Sequence, residues 1–449
     1  MAKCLAFVIG LFGLCWQVGC GQHKYDNYTL LRIIPNHDQH LQKLSELPLD
    51  EEISHGEVEI LKRSYGVNDS TDVLVSPNSK QLFEQFAVKN GMPILTKHDY
   101  GRSFEAIERV SRRRFQEGFS LYGYNGFDAI HSYLDDLAHR KPQLVRLQPL
   151  GYSYQRRPMR LVKISKDPSA GNPIIFVDAG IHAREWVAPS MATYIIHRLV
   201  TDSRARELDG LDWYILPVVN PDGYEYTRSS RSQRLWRKTR SKTARDCYGV
   251  DGNRNYGFKW GVSGVSNNPC DKETYAGPKP FSEPETQMVR NVMMENRDRI
   301  KLYVSLHAYG QYLVYPWGYT GGSLPKSWRK LDSLARKVSN AVHRAGGQPF
   351  QVMSAGQWYP AAGGSDDFAF GAAGIPYSYT MELTDGYEFI YPEKNLATVL
   401  PQLYEGFRTF AEEIKQEFGY ASRSPLGFII RPAIVNHKVN YVQCDLARN

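Results

Sequence analysis

The stretch PIIFVDAGIHAREW, residues 173–186, joins an apolar run to a turn that carries ionisable side chains. The apolar half, PIIFVDA, is typical of a strand that is buried on both faces of a sheet. A glycine turn follows it, and a helical pattern begins near Ala188. In open α/β sheets, ligands bind in the crevice beyond such strand ends. We therefore expect His182 and Glu185, which lie in this turn, to face a binding site.

Three more apolar runs have the same character, namely DWYILPVV, LYVSLHA and YSYTMEL at residues 212–219, 302–308 and 377–383. Helical patterns alternate with them, which predicts a three-layer α/β domain around a mostly parallel or mixed sheet over residues 115–420. Upstream, strand-like and helical patterns follow one another in the order βαββαβ over residues 27–96. This order predicts a compact α+β unit with helices on one antiparallel sheet.

The chain begins with MAKCLAFVIGLFGLCWQVGCG, residues 1–21, in which Lys3 precedes an apolar run and small residues follow it. This order is typical of a secretory signal peptide. The apolar run is too short to cross a bilayer, and a buried N-terminal helix is the alternative. No later stretch of the sequence reaches transmembrane length, so we expect a secreted protein with no membrane segment.

The overall composition is that of a globular protein, with 449 residues of which 42% are hydrophobic and 23% charged. The net charge is +8, and the densest basic run covers residues 228–245. Only Trp236 interrupts this run with an aromatic ring, so it predicts an exposed loop and no nucleic-acid partner. A second basic cluster, residues 112–114, lies between the two predicted units. A trypsin-like or furin-like protease could cut an exposed linker there, and a charged helix end is the alternative.

The cysteines and sequons agree with export. Three of the six cysteines fall in or beside the predicted signal peptide. Cys247 and Cys270 lie close enough in sequence to close a loop by a disulfide in an oxidising compartment, which leaves Cys444 over. Asn27 and Asn68 begin N-x-S/T sequons and are candidate glycan acceptors in an exported chain.

Three residues could form a metal site. His182 and Glu185 offer an imidazole and a carboxylate on one short turn, and His307 follows another predicted strand. Zinc accepts both kinds of donor, and two histidines with one glutamate leave a fourth position for water, as in catalytic zinc sites. The HxxE spacing alone is a weak signal, so the assignment depends on the surrounding motifs.

Several motifs occur in one order along the chain: IHAREW, VVNPDGYEYT, RLWRKTRS, GVDGNRNYGFKWG, LHAYGQYLVYPWGY, YPAAGGSDDF and YTMEL. Together they resemble the secreted pancreatic-type zinc carboxypeptidases, the metallocarboxypeptidase A/B family. The resemblance implies an α/β catalytic domain around an eight-stranded mixed sheet, one Zn²⁺ per chain and an activation prodomain over residues 22–114. It implies a zymogen that hydrolyses C-terminal peptide bonds and releases single residues from peptides or proteins. The tail, residues 421–449, lies outside the resemblance.

Carried over motif by motif, the resemblance assigns roles to particular residues. It makes His182, Glu185 and His307 the zinc ligands. Glu382 becomes the general base, and Arg237 the group that polarises the scissile carbonyl and holds the developing oxyanion. The residues implied in substrate binding are Arg184, Arg234, Asn253, Arg254, Tyr309 and Tyr359.

Other positions support or qualify this assignment. Asp251 resembles a carboxylate that orients a zinc-binding imidazole. Asn253 and Arg254 lie in the turn-rich sequence DGNRN, so ordinary turn residues are the alternative for both. The loop ELTDGYEF is shorter than the usual loop of the family, which leaves the expected place of Phe389 in the cleft open.

Specificity depends on the motif YPAAGGSDDF. In the resembling enzymes, the residue before the aspartate of this motif lies at the pocket floor, and an aspartate there goes with basic substrates. Asp366 holds this position before Asp367, and the small Ser354 leaves room for a long side chain. A buried carboxylate needs a cation, which a substrate Arg or Lys would supply. We therefore expect release of C-terminal Arg or Lys. Gly318 matches the branch of the family that prefers apolar residues, which is the alternative.

Rival classes of protein conflict with particular features of the sequence. An inactive binding protein on this scaffold would lack a ligand, the base or the carboxylate-binding groups, and all are present. A serine hydrolase would need a GxSxG elbow, and an endopeptidase of the zincin class an HExxH helix. Neither motif is found. We expect a monomeric enzyme whose partners are peptide C-termini and an activating protease.

Overall fold

The computed structural model describes residues 25, 27–46, 58–64, 66–67, 69–100, 118–203, 205–386, 388–419, 433–435 and 438–440. The predicted signal peptide, the basic cluster at residues 112–114, the sequon at Asn68 and Cys444 lie outside these residues. Asn27, at the other sequon, is exposed. Within the described part of the chain, no helix has both the length and the apolar character needed to cross a membrane.

The N-terminal unit is a four-stranded antiparallel sheet packed against two helices. Its strands are β1 Thr29–Ile33, β2 Val58–Lys62, β3 Thr71–Val75 and β4 Ile94–Asp99, and its helices are α1 Asp38–Glu46 and α2 Pro77–Lys89. The strand order is β2-β3-β1-β4. Ser76 caps α2, since its hydroxyl accepts the Ser79 amide at 3.2 Å and Pro77 occupies the first turn. The predicted βαββαβ unit is confirmed.

The second unit contains an eight-stranded mixed sheet in the order β11-β10-β12-β9-β7-β8-β6-β5. Its strands are β5 Val145–Tyr152, β6 Pro158–Ile164, β7 Ile174–Ala179, β8 Asp212–Leu216, β9 Ile300–His307, β10 Tyr312–Tyr315, β11 Gln351–Ser354 and β12 Tyr377–Glu382. The neighbouring strands β12, β9, β7 and β8 are parallel, so their carboxyl ends share one edge. The predicted α/β fold around an eight-stranded mixed sheet is confirmed.

Helices cover both faces of the large sheet. They are α3 Phe127–Arg140, α4 Val187–Thr201, α5 Pro221–Ser229, α6 Pro284–Asn296, α7 Trp328–Arg344, α8 Ala355–Trp358, α9 Ser365–Gly371 and α10 Leu396–Phe418. Near the C-terminus, β13 Ala433–Val435 and β14 Lys438–Asn440 form a separate antiparallel pair. The helices on the two faces complete the three-layer architecture.

Alternate residues of the central strands face two separate hydrophobic cores. In β7, Ile175 and Val177 face the core shared with α4 and α10, whereas Ile174 and Phe176 face the core shared with α6. This alternation follows from the two-residue period of a strand. At the carboxyl end of the α6 face, apolar side chains give way to polar ones, which are Asp178, Ser305, His307 and Glu382. These polar residues therefore share one face and one edge of the sheet.

Candidate active site

Two histidines and a glutamate meet at the carboxyl edge of the large sheet. His182 and Glu185 lie in the turn between β7 and α4, and His307 is the last residue of β9. The Nδ1 atoms of the two imidazoles are 3.1 Å apart, and the Glu185 oxygens lie 2.8 Å from His182 Nδ1 and 3.1 Å from His307 Nδ1. Donor atoms of all three residues lie within 4.8 Å of one another, and the three side chains are buried. The fold thus brings the three predicted ligands together.

The cluster has the donor chemistry and the electrostatic field of a cation site. Burial lowers the pKa of His307, but the carboxylates of Glu185 and Glu382 outweigh burial and raise the pKa to about 9. A field that favours a bound proton here also favours a metal cation. Two imidazole nitrogens and a carboxylate oxygen at this spacing fit zinc, which accepts both donor types.

Asp251 supports the cluster from behind. Its Oδ1 atom lies 3.0 Å from His182 Nε2, so this imidazole can donate to Asp251 while Nδ1 faces the other ligands. The Oδ2 atom of Asp251 accepts from Arg237 Nη2 at 2.9 Å, and Arg237 Nη1 lies 3.9 Å from a Glu185 oxygen. Burial lowers the pKa of Arg237, but Asp251 and other carboxylates raise it above its ordinary value. Arg237 therefore carries a fixed positive charge beside the cluster.

Glu382 ends β12, where the parallel register places it opposite His307. Only 7% of the Glu382 surface is exposed. Burial raises the pKa of Glu382 to about 8, which suits a carboxylate that takes up a proton near neutral pH. The predicted general base thus lies at the same sheet edge as the metal cluster.

The 3₁₀ turn Gly252–Arg254 presents groups that could bind a carboxylate. Asp251 caps this turn by accepting the Asn253 amide at 2.9 Å. Arg254 donates through Nη1 to the Asn253 carbonyl, also at 2.9 Å. The ring of Tyr359 lies 5.9 Å from the guanidinium carbon of Arg254, and both side chains line the cleft. Arg254 and Tyr359 are therefore neighbours on one wall, and Asn253 precedes Arg254 in the turn.

Two arginines engage groups at the rim of the cleft. Arg184 donates to both carboxylate oxygens of Glu273, at 2.9 and 2.6 Å, and lies 4.1 Å from the centre of the Phe389 ring. Arg234 lies behind it and donates to the carbonyls of Arg184 and Phe389 at 2.7 and 2.6 Å. Phe389 packs edge-on against Tyr309, so it lines the cleft despite the short loop. Direct contact between Arg234 and a substrate stays a prediction.

The two adjacent aspartates are buried at the start of α9. Asp367 accepts the amides of Gly318 and Tyr319, each at 2.8 Å, and Asp366 accepts the Asp367 amide at 2.9 Å. Burial raises the pKa of Asp366, because a charged carboxylate is costly to bury without a cation. Ser354 is fully buried and caps α8 with its hydroxyl.

A disulfide joins Cys247 to Cys270, as predicted, with their Cα atoms 5.0 Å apart. The loop between the two cysteines contains Asp251 and the turn Gly252–Arg254. The segment that carries the carboxylate-binding groups is therefore tied at both ends.

The N-terminal unit lies over the cleft. A partly open cavity of about 770 Å³ lies between the two units. Residues 58–63, in and just after β2, form one wall, and the other walls include Arg237, Tyr359 and Glu382. The N-terminal unit therefore narrows the access of a peptide to this cavity.

Hydrogen bonds join the two units at Asp72 of β3. Its carboxylate accepts from the Tyr309 hydroxyl at 2.7 Å and from Arg32 Nε at 2.6 Å. Arg32 also donates through Nη2 to a Glu388 oxygen at 3.2 Å. Asp72 is fully buried. One carboxylate of the N-terminal unit thus binds a cleft tyrosine directly.

Sequence reasoning missed four residues that contact the site, which are Asp178, Ser305, Glu273 and Asp72. A signal existed for Asp178, since it is the only charged residue of the apolar run PIIFVDA. Burial raises the pKa of Asp178 to about 6, so it is mostly ionised at neutral pH. The other three carry no comparable signal, because their contacts depend on which strands and units lie side by side.

A buried His–Glu–His cluster with a strand-end glutamate, at the carboxyl edge of a mixed sheet, defines a metal-dependent hydrolase of the α/β class. The family model for zinc carboxypeptidase matches residues 130–406, and the model for the carboxypeptidase activation peptide matches residues 31–99. The chain therefore belongs to the zinc carboxypeptidase family. It is a carboxypeptidase made with an activation peptide.

Relatives of both the A and the B type are similar to this chain. It is 42% identical to carboxypeptidase B of Astacus astacus over 302 residues, which cover 66% of this chain and 98% of that protein. It is 32% identical to carboxypeptidase A2 of Rattus norvegicus over 414 residues, 88% of this chain and 95% of that protein. The solved structure of carboxypeptidase A from Helicoverpa armigera matches with a TM-score of 0.77 and 26% identity, over 87% of this chain and 98% of that one.

Proposed function

We propose that this chain is a secreted zinc metallocarboxypeptidase, made as a zymogen, that removes single residues from the C-termini of peptides and proteins. Three donor atoms within 4.8 Å of one another carry this proposal, since they fit zinc and lie beside Glu382. His182, Glu185 and His307 would hold one Zn²⁺ per chain.

The residues of the cleft divide the chemistry between them. Bound zinc would act as a Lewis acid toward the scissile carbonyl and would acidify a water molecule. Glu382 takes the proton of the attacking water and passes it to the leaving amine. Arg237 faces the oxygen on which negative charge develops. Asn253, Arg254 and Tyr359 bind the free α-carboxylate of the substrate, because a guanidinium group can clamp a carboxylate through two hydrogen bonds.

Zinc content and turnover test this assignment. The purified chain should hold one zinc ion, and the double variant His182→Ala, His307→Ala should lose it. Glu382→Gln keeps the shape of the side chain but removes the base, so it should retain zinc while kcat falls about 10²- to 10⁴-fold. Glu412→Gln, at an exposed position of α10, is the matched control and should keep full turnover. Full zinc in the double variant, or near-normal kcat in Glu382→Gln, would contradict the assignment.

We propose that residues 22–114 form the activation prodomain, residues 115–420 the catalytic domain, and residues 421–449 a tail. The wall that residues 58–63 form across the cleft supports latency of the uncut chain. A trypsin-like or furin-like protease would cut at or near residues 112–114 and release the prodomain. Limited trypsin treatment should therefore convert a quiet precursor into an active, shorter enzyme. Equal activity of cut and uncut chains on small and large substrates would argue against latency.

Export and the monomeric state are separate proposals. Removal of residues 1–21 during secretion would give a precursor that begins near residue 22. N-terminal sequencing of protein recovered from the culture medium tests this start. Light scattering of the same sample should give the mass of a single chain, and a dimer mass would reject the monomer.

We propose that the preferred last residue of the substrate is Arg or Lys. Burial of Asp366 supports this proposal. Burial raises the pKa of this carboxyl because a buried negative charge is costly, and a substrate cation would offset that cost. Release of apolar residues is the second candidate. Gly318 favours this candidate. The hydrogen bond that Asp366 accepts from the Asp367 amide favours it too, because this carboxylate already has a partner without a substrate cation.

The ratio of kcat/KM for two peptides that differ only in a final Arg or Phe decides between these candidates. Asp366→Ile should lower kcat/KM for the Arg peptide by about 10²-fold, because the substrate guanidinium loses the carboxylate proposed to pair with it, and should spare the Phe peptide. A parent enzyme that prefers Phe, or an Arg preference that survives Asp366→Ile, would favour the second candidate.

A further inference from the structure

The buried carboxylate of Asp178 has no role in the proposed peptide hydrolysis. Asp178 lies near the end of β7, and the parallel register places it opposite Ser305 of β9. Both residues are about 1% exposed. The Ser305 hydroxyl donates to Asp178 Oδ1 at 2.7 Å, and the Tyr303 hydroxyl donates to Oδ2 at 2.6 Å. Asp178 therefore accepts two hydroxyl groups from one strand.

Ser305 also contacts a member of the metal cluster. Its Oγ atom lies 3.1 Å from His307 Nε2. A serine hydroxyl has one proton to donate, and this proton is directed to Asp178. The Ser305 oxygen can therefore only accept from the imidazole, so His307 carries its proton on Nε2. In the neutral imidazole that a metal ion requires, the lone pair of Nδ1 is then left to face Glu185 and His182.

We propose that Asp178, acting through Ser305, is a positioning residue that fixes the tautomer and the ring orientation of His307 for metal binding. The inference rests on the proposed function, in which His307 is a zinc ligand. His182 has a shorter arrangement of the same kind, since its Nε2 atom lies 3.0 Å from Asp251 Oδ1. Each imidazole of the cluster is thus backed by a buried carboxylate, one directly and one through a hydroxyl group.

A purely structural role for this contact can be separated from a positioning role, because the chain contains a matched pair elsewhere. The Ser165 hydroxyl donates to Asp212 Oδ1 at 2.6 Å, and both residues are buried. This pair also joins two strands of the large sheet, since Ser165 follows β6 and Asp212 begins β8. No imidazole is among the contacts of Ser165 in the described residues. Loss of either serine hydroxyl should weaken folding similarly, but only Ser305 should affect the metal.

The experiment measures zinc affinity of the full precursor by competition with a chromophoric chelator, and thermal midpoints of the zinc-free protein. Ser305→Ala should weaken zinc binding by about 10- to 100-fold, the usual effect of removing a partner of a metal-binding histidine. Ser305→Thr restores the hydroxyl and should restore affinity. Ser165→Ala should lower the thermal midpoint about as much as Ser305→Ala and leave zinc affinity unchanged.

Asp178→Asn provides a second route if Ser305→Ala does not fold. The amide keeps the volume of the carboxylate but offers one acceptor atom for two hydroxyl groups and no negative charge, so zinc affinity should fall in this variant too. Unchanged affinity in Ser305→Ala or in Asp178→Asn, or an equal loss in Ser165→Ala, would overturn the inference. A parent chain that binds no zinc would instead reject the proposed function, so the two failures are distinguishable.

Discussion

Glu285 is a buried carboxyl group that does not line the cleft, and it makes the stability of the protein depend on pH. It lies in the first turn of α6 and is 1% exposed. Oε1 accepts the Tyr154 amide at 2.9 Å, whereas Oε2 finds no hydrogen-bond partner among the described residues. Burial raises the pKa of Glu285 to about 8, and the nearby carboxylates of Glu283 and Asp222 add to the rise.

The sign of the pH effect follows from this shift. Between the unfolded pKa, about 4.5, and the folded pKa, about 8, the folded state binds the proton more tightly, so rising pH penalises folding. Glu285→Gln removes this penalty. Its thermal midpoint relative to the parent should therefore increase from about pH 5 to about pH 8, with a slope in free energy of at most about 1.4 kcal/mol per pH unit.

Thermal melts at several pH values check this expectation. Glu295→Gln, at an exposed position of the same helix, is the control and should differ from the parent by a constant amount. A Glu285→Gln variant whose offset also stays constant would show that this carboxyl is ionised throughout.

Individual residues of the site differ in how well the sequence predicts them. The motifs identified His182, Glu185 and His307, because each lies at a strand end or in the turn that follows. They did not identify Ser305, although it lies two residues before His307. Its contact with Asp178 exists only because β7 and β9 pair in one particular register. The residues of either strand alone do not predict which strand lies beside it.

Among the elements, the loop closed by Cys247 and Cys270 has the clearest energetic consequence. Its sequence separation of 23 residues corresponds to roughly 3 kcal/mol in the chain-entropy model. The double variant Cys247→Ser, Cys270→Ser should therefore unfold at lower temperature. KM should rise more than kcat falls, because Asn253 and Arg254 lose their fixed positions, whereas Asp251 is also held by His182 and Arg237 and Glu382 lies on a separate strand.

Calorimetry and steady-state kinetics measure these two effects. A reducing agent should lower the stability of the parent toward that of the double variant and leave the variant itself unchanged. If kcat falls and KM stays constant, the loop acts on the chemical step and not on carboxylate binding.

The strands differ in how well their sequence patterns predict them. The central strands β7, β8, β9 and β12 are continuous apolar runs, so the sequence predicts them directly. The edge strand β5 alternates irregularly between exposed and half-buried residues, and β11 is only four residues long. Such strands carry little periodic signal. The count of eight strands was therefore predicted by the family resemblance and not by periodicity.

For the whole molecule, the contact between Asp72 and Tyr309 stabilises the N-terminal unit in its position over the cleft. We therefore expect the activity of the uncut chain to depend on the free energy of this contact. Hydrogen bonds that involve a charged group contribute about 1.5–3 kcal/mol each. Asp72→Ala removes the acceptor of both Tyr309 and Arg32 and leaves the half-buried Arg32 with its longer contact to Glu388. The uncut variant should therefore open more often, with a residual activity about 10- to 100-fold above that of the uncut parent.

Initial rates on a small substrate, before and after trypsin treatment, test this prediction. Because cleavage removes residue 72, the two activated enzymes should be identical, which normalises the comparison. Glu84→Ala, in an exposed ion pair of α2, is the control and should leave the precursor quiet. An uncut Asp72→Ala chain as silent as the parent would place the latency contacts elsewhere, for example at residues 58–63.

Alternate residues of the central strands face opposite sides of the sheet. The direction in which a site residue points therefore depends on whether the number of strand residues before it is odd or even. One residue inserted between Leu302 and His307 would keep every motif intact, yet it would turn the imidazole toward the apolar core shared with α4 and α10. The loop after Glu382 has no strand period and therefore no such constraint. Descendants of this chain can therefore gain or lose residues between strands, whereas an odd-numbered insertion or deletion inside β7, β9 or β12 would turn Asp178, His307 or Glu382 to the opposite face of the sheet.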